Sequence, residues 1–198
     1  MAGREIVRCH PVTWGATEFN DAPAVRRFRH FLSDDGRIVP TMYGSDIVGG
    51  ALSETVFHDV PVRGPTRSVD LTRLRHWVVS RIVPLRDLRL ASLQGRGLRR
   101  LQVTRAELIE SPASEYDQTI PWARAIWDHR ARYDGLIWTS RQDDTAAAIM
   151  LFGRQAGRGV SRSDLEPNPD QPTMLIWEGS GLDQVQAFGD DAGIDIVH

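Results

Sequence analysis

The chain contains no lysine. All 24 of its basic residues are arginine, they face 26 acidic residues, and the net charge is −2. Without lysine, the chain cannot supply an amine nucleophile or a Schiff base. Arginine binds phosphate through two parallel hydrogen bonds, so phosphate binding is one functional explanation for the exclusive use of arginine. A genome rich in G and C also favours arginine codons, and we attribute the bias to that cause.

Cysteine and long apolar runs are also scarce. The only cysteine, Cys9, excludes an internal disulfide. No apolar segment typical of a secretory signal opens the chain, so we expect a cytoplasmic protein. Residues 77–85 form an apolar run, but Arg81 and Pro84 interrupt it well short of the ~18 residues of a membrane span. We therefore expect no membrane association.

Several classes of site lack their sequence signals. The six histidines show no paired metal-ligand spacing, and we expect no metal. Ser140 lies in TSR rather than in a GxSxG nucleophile elbow. The glycine-rich run 153–160 has neither dinucleotide-fold nor P-loop spacing. The basic cluster 95–105 carries no interleaved aromatics, so direct binding to nucleic acid is not expected.

Strand and helix patterns are mixed without a regular alternation. This predicts an α+β fold: a single domain over residues 1–198 with a mixed β-sheet and flanking helices. Residues 11–42 are predicted to be mostly loop, and 161–172 a surface loop. Strands are predicted at 4–11, 79–84, 87–93, 136–140, 148–152, 173–179 and 193–197, and helices from Asp46 onward and at 121–132.

The segment 40–61 is the most informative part of the chain. Asp46 is predicted to cap a helix whose apolar positions recur at helical spacing. Glu54 falls on the row 47-51-54-58, beside the apolar stripe, so its carboxylate is expected to be partly desolvated. Such a carboxylate has either an arginine partner or a chemical task. His58, next to Asp59, is either a base or a structural histidine.

Four segments in order resemble the RES domain family, the toxins of Res–Xre toxin–antitoxin pairs. They are VRCHP with Arg8, RRF with Arg27, VPTMYGSDIVGGALSETVFHDVP with Tyr43 and Glu54, and YDGLIWTSR with Ser140. These core motifs fall within residues 5–152, and the predicted strands at 173–198 resemble the closing strands of the family. The combination of ALSETVFHDVP and DGLIWTSR in this order is the specific part.

The resemblance implies a fold related to the ADP-ribosylating toxins and cleavage of NAD at its nicotinamide–ribose bond. NAD is then the substrate, and no metal is implied. Glu54 and Ser140 are the implied catalytic residues: the carboxylate stabilises the ribosyl cation, and the hydroxyl orients an amide or a ribose. Arg8 and Arg27 are implied to bind the pyrophosphate, and Tyr43 to stack on a flat ring.

The resemblance leaves the acceptor and the assembly open. Phosphate or water as acceptor gives an NAD phosphorylase or glycohydrolase, and a protein acceptor gives an ADP-ribosyltransferase. A catalytically inactive domain that only binds a partner is the alternative of a different class. The implied partner is an Xre-like antitoxin with a DNA-binding domain. The sequence does not distinguish a monomer from a homodimer.

Overall fold

The computed structural model describes residues 3–22, 27–64 and 67–197. Arg26 of the RRF segment lies outside them. The strands are β1 (Ile6–Pro11), β2 (Phe31–Leu32), β3 (Ile38–Val39), β4 (Thr41–Ser45), β5 (Ser68–Asp70), β6 (Trp77–Pro84), β7 (Leu90–Ser92), β8 (Gly135–Thr139), β9 (Ala147–Phe152), β10 (Leu165–Pro167), β11 (Met174–Leu175) and β12 (Asp195–Val197). The α-helices are α1 (Val48–Ser53), α2 (Gly95–Leu101), α3 (Arg105–Leu108), α4 (Ile120–Asp128) and α5 (Gly179–Ala192), and 3₁₀ turns lie at Leu71–Leu74, Ala113–Thr119 and Arg162–Asp164.

A mixed sheet forms the centre of the described chain. Its order is β10-β6-β1-β4-β9-β8-β7, and β11 also pairs with β6. All neighbours in it are antiparallel except β7 and β8, which are parallel. The predicted α+β class with a mixed sheet and flanking helices is therefore confirmed.

The sheet opens between β1 and β4. Strand β1 pairs with β6 along its whole length, from Ile6↔Ile82 to Pro11↔Trp77. In the described chain β1 pairs with β4 only at Val7↔Ser45. Beside that pair the two backbones are very close, because a Cβ on Gly44 would lie 2.6 Å from Cγ2 of Ile6 and 2.9 Å from the carbonyl oxygen of Val7. The rest of β1 and β4 form two walls of a cleft.

Two apolar clusters pack on the same face of the sheet, and a third packs on the opposite face. One cluster places Trp127 of α4 against Leu136 and Met150 of the neighbouring strands β8 and β9. Another places Leu52 of α1 and Val185 of α5 against the β1–β6 region. Burying each of these side chains contributes about 1.5–3 kcal/mol. The first cluster contacts the β4 side of the cleft and the second contacts the β1 side.

Most predicted strands are confirmed within one to three residues. The segment 4–11 forms β1, 79–84 lies in β6, 136–140 gives β8, and 148–152 gives β9. The predicted strand 173–179 is wrong beyond Leu175. The helix α5 that follows was not predicted: glycine lowers helix propensity, and its buried residues are Gly181, Val185 and Gly189, a weak apolar stripe.

Two helix predictions and one loop prediction need correction. Asp46 does not cap α1: the N-cap is Ile47, without a side-chain bond, and Asp46 instead accepts the N–H of Ala147 at 2.7 Å. Helix α4 ends at Asp128 rather than at 132, because His129 takes an extended conformation. The basic segment 95–105 contains α2 and the start of α3, and the predicted surface loop 161–172 contains β10.

A search of the described residues for a helix long and apolar enough to cross a membrane found none.

Candidate active site

A cavity of about 640 Å³ lies where β1 and β4 separate. This volume is within the range of about 300–1,000 Å³ that small-molecule and cofactor sites occupy. Its walls come from β1, β4, the end of α1, the 3₁₀ turn Ala113–Thr119, and the sheet floor. The polar and aromatic lining residues are Arg8, His10, Trp14, Asn20, Arg27, Thr41, Tyr43, Glu54, Thr55, His58, Asp59, Arg73, Trp77, Tyr116 and Trp138. Four of the five predicted site residues therefore line one cavity.

Glu54 lies at the C-terminal end of α1. Its Oε1 accepts a hydrogen bond from the hydroxyl of Ser140 at 2.6 Å and another from the backbone N–H of Arg141 at 3.1 Å. The residue is half-buried, as the sequence pattern predicted. Both bonds fall on Oε1 and fix the plane of the carboxylate, so the group is held before any ligand arrives.

Ser140, the fifth predicted residue, lies behind Glu54 and is fully buried. Its hydroxyl donates to Glu54 and accepts the backbone N–H groups of Gln142 at 3.1 Å and Asp143 at 3.2 Å. These three bonds use the one donor and both lone pairs of a hydroxyl. The geometry therefore leads us to expect that Ser140 acts by positioning Glu54, and its direct contact with substrate stays a prediction.

Arg27 is a buried cation in the cavity wall, 5% exposed. Its Nη2 donates to the carbonyl oxygen of Ser111 at 2.9 Å, and its guanidinium lies 4.8 Å from the ring centre of Tyr116. Burial lowers the pKa of Arg27, while Tyr116 and Glu54 oppose that shift. An arginine stays charged even so, because its ordinary pKa is very high. The cavity therefore contains a positive charge largely removed from water.

The backbone that carries Arg27 is held in an unusual conformation. Phe28 is fully buried with φ at 57°, a region that bulky residues rarely adopt. Its N–H donates to Oγ1 of Thr119 at 2.8 Å, and the hydroxyl of Tyr43 donates to the carbonyl oxygen of Arg27 at 2.8 Å. Strain of this kind is typical of functional sites. Tyr43 thus lines the cavity with its ring and fixes Arg27 with its hydroxyl.

Arg8 has a structural task within the same cavity. Its Nη1 donates to three carbonyl oxygens of the loop after β1, those of Gly15 at 3.2 Å, Ala16 at 2.9 Å and Glu18 at 2.7 Å. The side chain is buried. Arg8 therefore holds the loop that forms one rim of the cavity, and its contact with pyrophosphate stays a prediction.

Sequence reasoning left the role of His58 open and did not single out Tyr116 or Trp138. His58 follows the end of α1: its Nδ1 lies 2.9 Å from Oδ1 of Asp59, and its Nε2 lies 3.3 Å from the hydroxyl of Tyr116. The four-residue spacing from Glu54 was the available signal for His58. Tyr116 lies in a short 3₁₀ turn and Trp138 in an ordinary strand pattern, so neither gave a sequence signal.

His10 is a buried histidine beside the predicted phosphate-binding residues. Its Nε2 lies 2.9 Å from Oγ of Ser80, and its Nδ1 lies 2.9 Å from the carbonyl oxygen of Pro11. Burial, and next the charge of Arg8, lower its pKa from 6.5 to about 4. His10 is therefore neutral at pH 7 and adds no positive charge to the cavity.

In the residues that the structure describes, no three His, Cys, Asp or Glu side chains form a group able to hold a metal ion. The charged groups that line the cavity are three arginines and two carboxylates, those of Glu54 and Asp59. Such a set can bind an anionic ligand that has flat rings and can stabilise positive charge developing near Glu54.

The family model of the RES domain matches residues 5–177, which is most of the chain. The match includes every strand and helix that contributes to the cavity and ends before α5. A search of curated proteins and a search of solved structures gave no significant match.

Proposed function

We propose that this chain, which belongs to the RES domain family, consumes NAD by cleaving the bond between nicotinamide and ribose. The RES family is known from toxin–antitoxin pairs, and the chain acts as the toxin of such a pair. The observation that carries the proposal is the placement of Glu54, which two hydrogen bonds fix in a cavity that also holds Arg8, Arg27 and Tyr43.

The charges of the cavity fit a dinucleotide. NAD has a pyrophosphate, which needs donors and positive charge, and two flat rings, which need apolar or aromatic surfaces. Arg27 supplies a buried guanidinium, and Tyr43, Tyr116, Trp14 and Trp77 supply aromatic faces. Charge-assisted hydrogen bonds to phosphate are about twice as strong as neutral ones. These residues would therefore bind and orient NAD.

Glu54 has the chemistry that the bond cleavage needs. As the bond to nicotinamide breaks, its electron pair moves to the ring nitrogen, and positive charge develops on the ribose. A carboxylate fixed nearby stabilises that charge without reorganising, an effect worth about 10²–10³ in rate. An ionised oxygen of phosphate, or the oxygen of water, then bonds to the same carbon, and in the case of water the proton passes to the solvent. Ser140 and the N–H of Arg141 hold the carboxylate in place throughout.

The test is NAD turnover by the purified protein, with nicotinamide and the ribosyl product identified by mass spectrometry in buffers with and without phosphate. Wild-type protein is expected to release nicotinamide, and Glu54→Gln to release it about 10²-fold more slowly. The amide oxygen of the glutamine can accept the same two hydrogen bonds, so the fold is retained. Glu115→Gln, an exposed change outside the cavity lining, is the control and keeps full activity.

The products separate the alternatives. ADP-ribose that carries an added phosphate on its ribose supports phosphorolysis. Free ADP-ribose supports hydrolysis. Nicotinamide release with ADP-ribose retained on a protein indicates transfer to a protein. No NAD loss in folded protein, or equal loss by Glu54→Gln, contradicts the enzymatic proposal and favours a domain that only binds a partner.

The toxin role has its own test in cells. Expression of the chain is expected to lower cellular NAD and arrest growth, and Glu54→Gln is expected to relieve both effects. We propose an Xre-like antitoxin with a DNA-binding domain as the protecting partner, whose acidic group would pair with Arg27 in the cavity. Equal arrest by the wild-type and Glu54→Gln chains would contradict the toxin role, because the effect would then be a burden of overexpression.

A further inference from the structure

A second cavity of the molecule is lined by arginines. It has a volume of about 190 Å³ and shares no lining residue with the cavity of Glu54. Its charged lining groups are one carboxylate, that of Asp134, and the guanidiniums of Arg86, Arg132, Arg154 and Arg158. Asp134 precedes β8 and Ser140 follows it, and the five residues of β8 span about 17 Å. The second cavity, which we call the arginine pocket, is therefore a separate site.

Carboxylates neutralise one of the four arginines, Arg86. Its Nη2 and Nη1 donate to the carboxylate of Asp134 at 2.8 and 3.1 Å, and its Nε lies 3.4 Å from Oδ2 of Asp164. The carboxylate of Asp134 also accepts the backbone N–H of Arg89 at 2.8 Å. The one acidic group of the lining is thus already paired, and it leaves the other three arginines uncompensated.

The other three arginines have little opposite charge near them. Nη1 of Arg158 lies 3.9 Å from Oδ1 of Asp128, beyond hydrogen-bonding distance, and its guanidinium lies 5.7 Å from the ring centre of Trp127. Arg132 and Arg154 form no ion pair with any residue that the structure describes. Positive charges held close together repel one another, and a bound anion removes that repulsion. Three guanidiniums around so small a volume therefore indicate an anionic ligand.

The tight turn of the glycine-rich run forms one side of the arginine pocket. Gln155 and Arg158 exchange backbone hydrogen bonds of 3.0 and 2.9 Å, and the residues between them have positive φ, 50° at Ala156 and 72° at Gly157. These values are typical of a two-residue hairpin turn. Nη2 of Arg132 donates to the carbonyl oxygen of Gly157 at 3.1 Å and so ties the turn to the segment before β8. The turn is therefore held in place before any ligand binds.

The donors and the volume identify the chemical class of the ligand. A guanidinium has five N–H donors and no acceptor, and Arg132 uses one of its donors within the described chain. A carboxylate offers two oxygens and one negative charge, whereas a phosphate group offers three or more oxygens and nearly two charges at pH 7. Phosphate therefore matches three arginines better. The volume lies below the range of about 300–1,000 Å³ for cofactor-sized ligands, so the arginine pocket fits a group of phosphate size.

We propose that the arginine pocket binds phosphate, either as the free inorganic ion or as the phosphate of a phosphomonoester. Arg132, Arg154 and Arg158 supply the donors and the charge. The ring of Tyr133 also lines the pocket and offers a face to the organic part of a phosphomonoester. The proposal adds a second site to the molecule and does not depend on NAD consumption.

Calorimetric titration of the full chain with inorganic phosphate tests the site, at an ionic strength kept constant with sodium chloride to remove general screening. Arg154→Gln is expected to bind phosphate about tenfold more weakly, because one charge-assisted hydrogen bond is lost. Arg100→Gln removes the same charge from an exposed position on α2 that lines neither cavity, and it is expected to bind as the parent does. Equal phosphate affinity in the two variants contradicts the site.

A stability measurement separates binding from structural support. Removing one of several crowded positive charges is not expected to lower the melting temperature of phosphate-free protein, whereas the rise in melting temperature on adding phosphate becomes smaller. A lower melting temperature without phosphate, together with an undiminished rise in phosphate, would make Arg154 a structural residue and contradict the site. Should Arg154→Gln fail to fold, Arg158→Gln takes its place in both measurements.

The cavity of Glu54 also contains arginines, so a second background excludes it as the source of the signal. In an Arg27→Lys background, Arg154→Gln is expected to weaken phosphate binding by the same factor as in the parent. If the effect of Arg154→Gln disappears there, the phosphate was bound in the cavity of Glu54 and the inference is wrong. Absence of NAD turnover bears on the proposed function alone.

Titrations with AMP and adenosine distinguish the two sources of phosphate. AMP that binds more tightly than phosphate, and loses that affinity in Arg154→Gln, assigns a phosphomonoester to the arginine pocket; AMP no tighter than phosphate assigns the inorganic ion. Adenosine is expected not to distinguish the parent from Arg154→Gln, and a difference between them contradicts phosphate recognition. A glutamate-rich peptide that binds in an Arg154-dependent manner where phosphate does not bind would identify an acidic peptide as the ligand and overturn the proposal.

Discussion

The hydroxyl of Ser140 donates a 2.6 Å hydrogen bond to Oε1 of Glu54, across 86 residues of sequence. One partner ends α1 and the other follows β8. Because the serine is buried and its hydroxyl makes three bonds, the carboxylate has one defined position. This pair joins the two most specific sequence motifs of the chain into a single unit.

Ser140→Ala is expected to lower the kcat of NAD turnover by about 10- to 100-fold, because the carboxylate loses its fixed position. KM is expected to change little, since the serine does not line the cavity. The change also removes the acceptor of two N–H groups on the half-buried residues Gln142 and Asp143, which is expected to cost about 1 kcal/mol of stability. Steady-state kinetics and urea unfolding check both values.

Ser53→Ala is the control for that loss of stability. Ser53 is also a fully buried serine, and its hydroxyl bonds only within α1, to the carbonyl of Gly50 at 2.9 Å. The Ser53→Ala variant is expected to be less stable than the parent without a comparable loss of kcat. If both serine variants lose kcat equally, general loosening of α1 explains the effect and the positioning role of Ser140 is wrong.

Arg27→Lys is expected to weaken NAD binding about tenfold or more, although the charge is kept. A lysine ammonium cannot reproduce the planar fork that bonds Ser111 and stacks on Tyr116. Calorimetry in a Glu54→Gln background measures the affinity while turnover is slow. Arg29→Lys, at an exposed ion pair with Asp117, is the matched control and is expected to bind as the parent does. If Arg27→Lys binds NAD as tightly as Arg29→Lys does, Arg27 has a structural role and does not bind NAD.

His10 gives the protein a pH-dependent stability. Its pKa is about 4 in the folded chain against 6.5 for the ordinary side chain. As pH falls from 6.5 to 4, the unfolded chain takes up a proton that the folded chain does not, so the free energy of unfolding falls. The loss approaches about 3 kcal/mol at most, and less where cavity water screens the charge.

Urea unfolding at several values between pH 7.5 and 4 measures this loss. Carboxylates also titrate in the lower part of this range, so the informative quantity is the difference between the parent and His10→Gln. That difference is expected to shrink as pH falls, because the glutamine cannot take up the proton. Parallel stability curves for the two proteins would show that His10 titrates alike in the folded and unfolded chain.

Gly44→Ala is expected to destabilise the protein by about 1–3 kcal/mol, the usual cost of overpacking. The added Cβ would meet Ile6 and the backbone of Val7 at the only described pair that joins β1 and β4. Thermal unfolding measures the effect. Gly95→Ala is the control, because nothing lies within 4 Å of its added Cβ. A melting temperature for Gly44→Ala equal to that of the control would contradict the tight junction.

The helical segment at 179–192 shows where the sequence was insufficient. Three glycines and three aspartates give α5 a low helix propensity, so the local sequence did not predict a helix here. The helix packs closely against the preceding strand, and glycine permits this approach. An added Cβ on Gly181 would lie only 1.8 Å from the carbonyl oxygen of Leu175, so a larger residue does not fit there. Asp46 shows the same limit, since its carboxylate bonds Ala147 on a neighbouring strand rather than its own helix.

The sequence by itself determined the mixed strand and helix content, the family, and Arg8, Arg27, Tyr43, Glu54 and Ser140 as the candidate residues. It could do so because local periodicity and short motifs are properties of neighbouring residues. Tertiary structure alone decided the contacts of these residues: Ser140 bonds Glu54, Arg8 bonds the loop at the cavity rim, and Arg27 lies over the ring of Tyr116. The physical reason is that burial and hydrogen bonding between distant segments depend on how the sheet opens between β1 and β4.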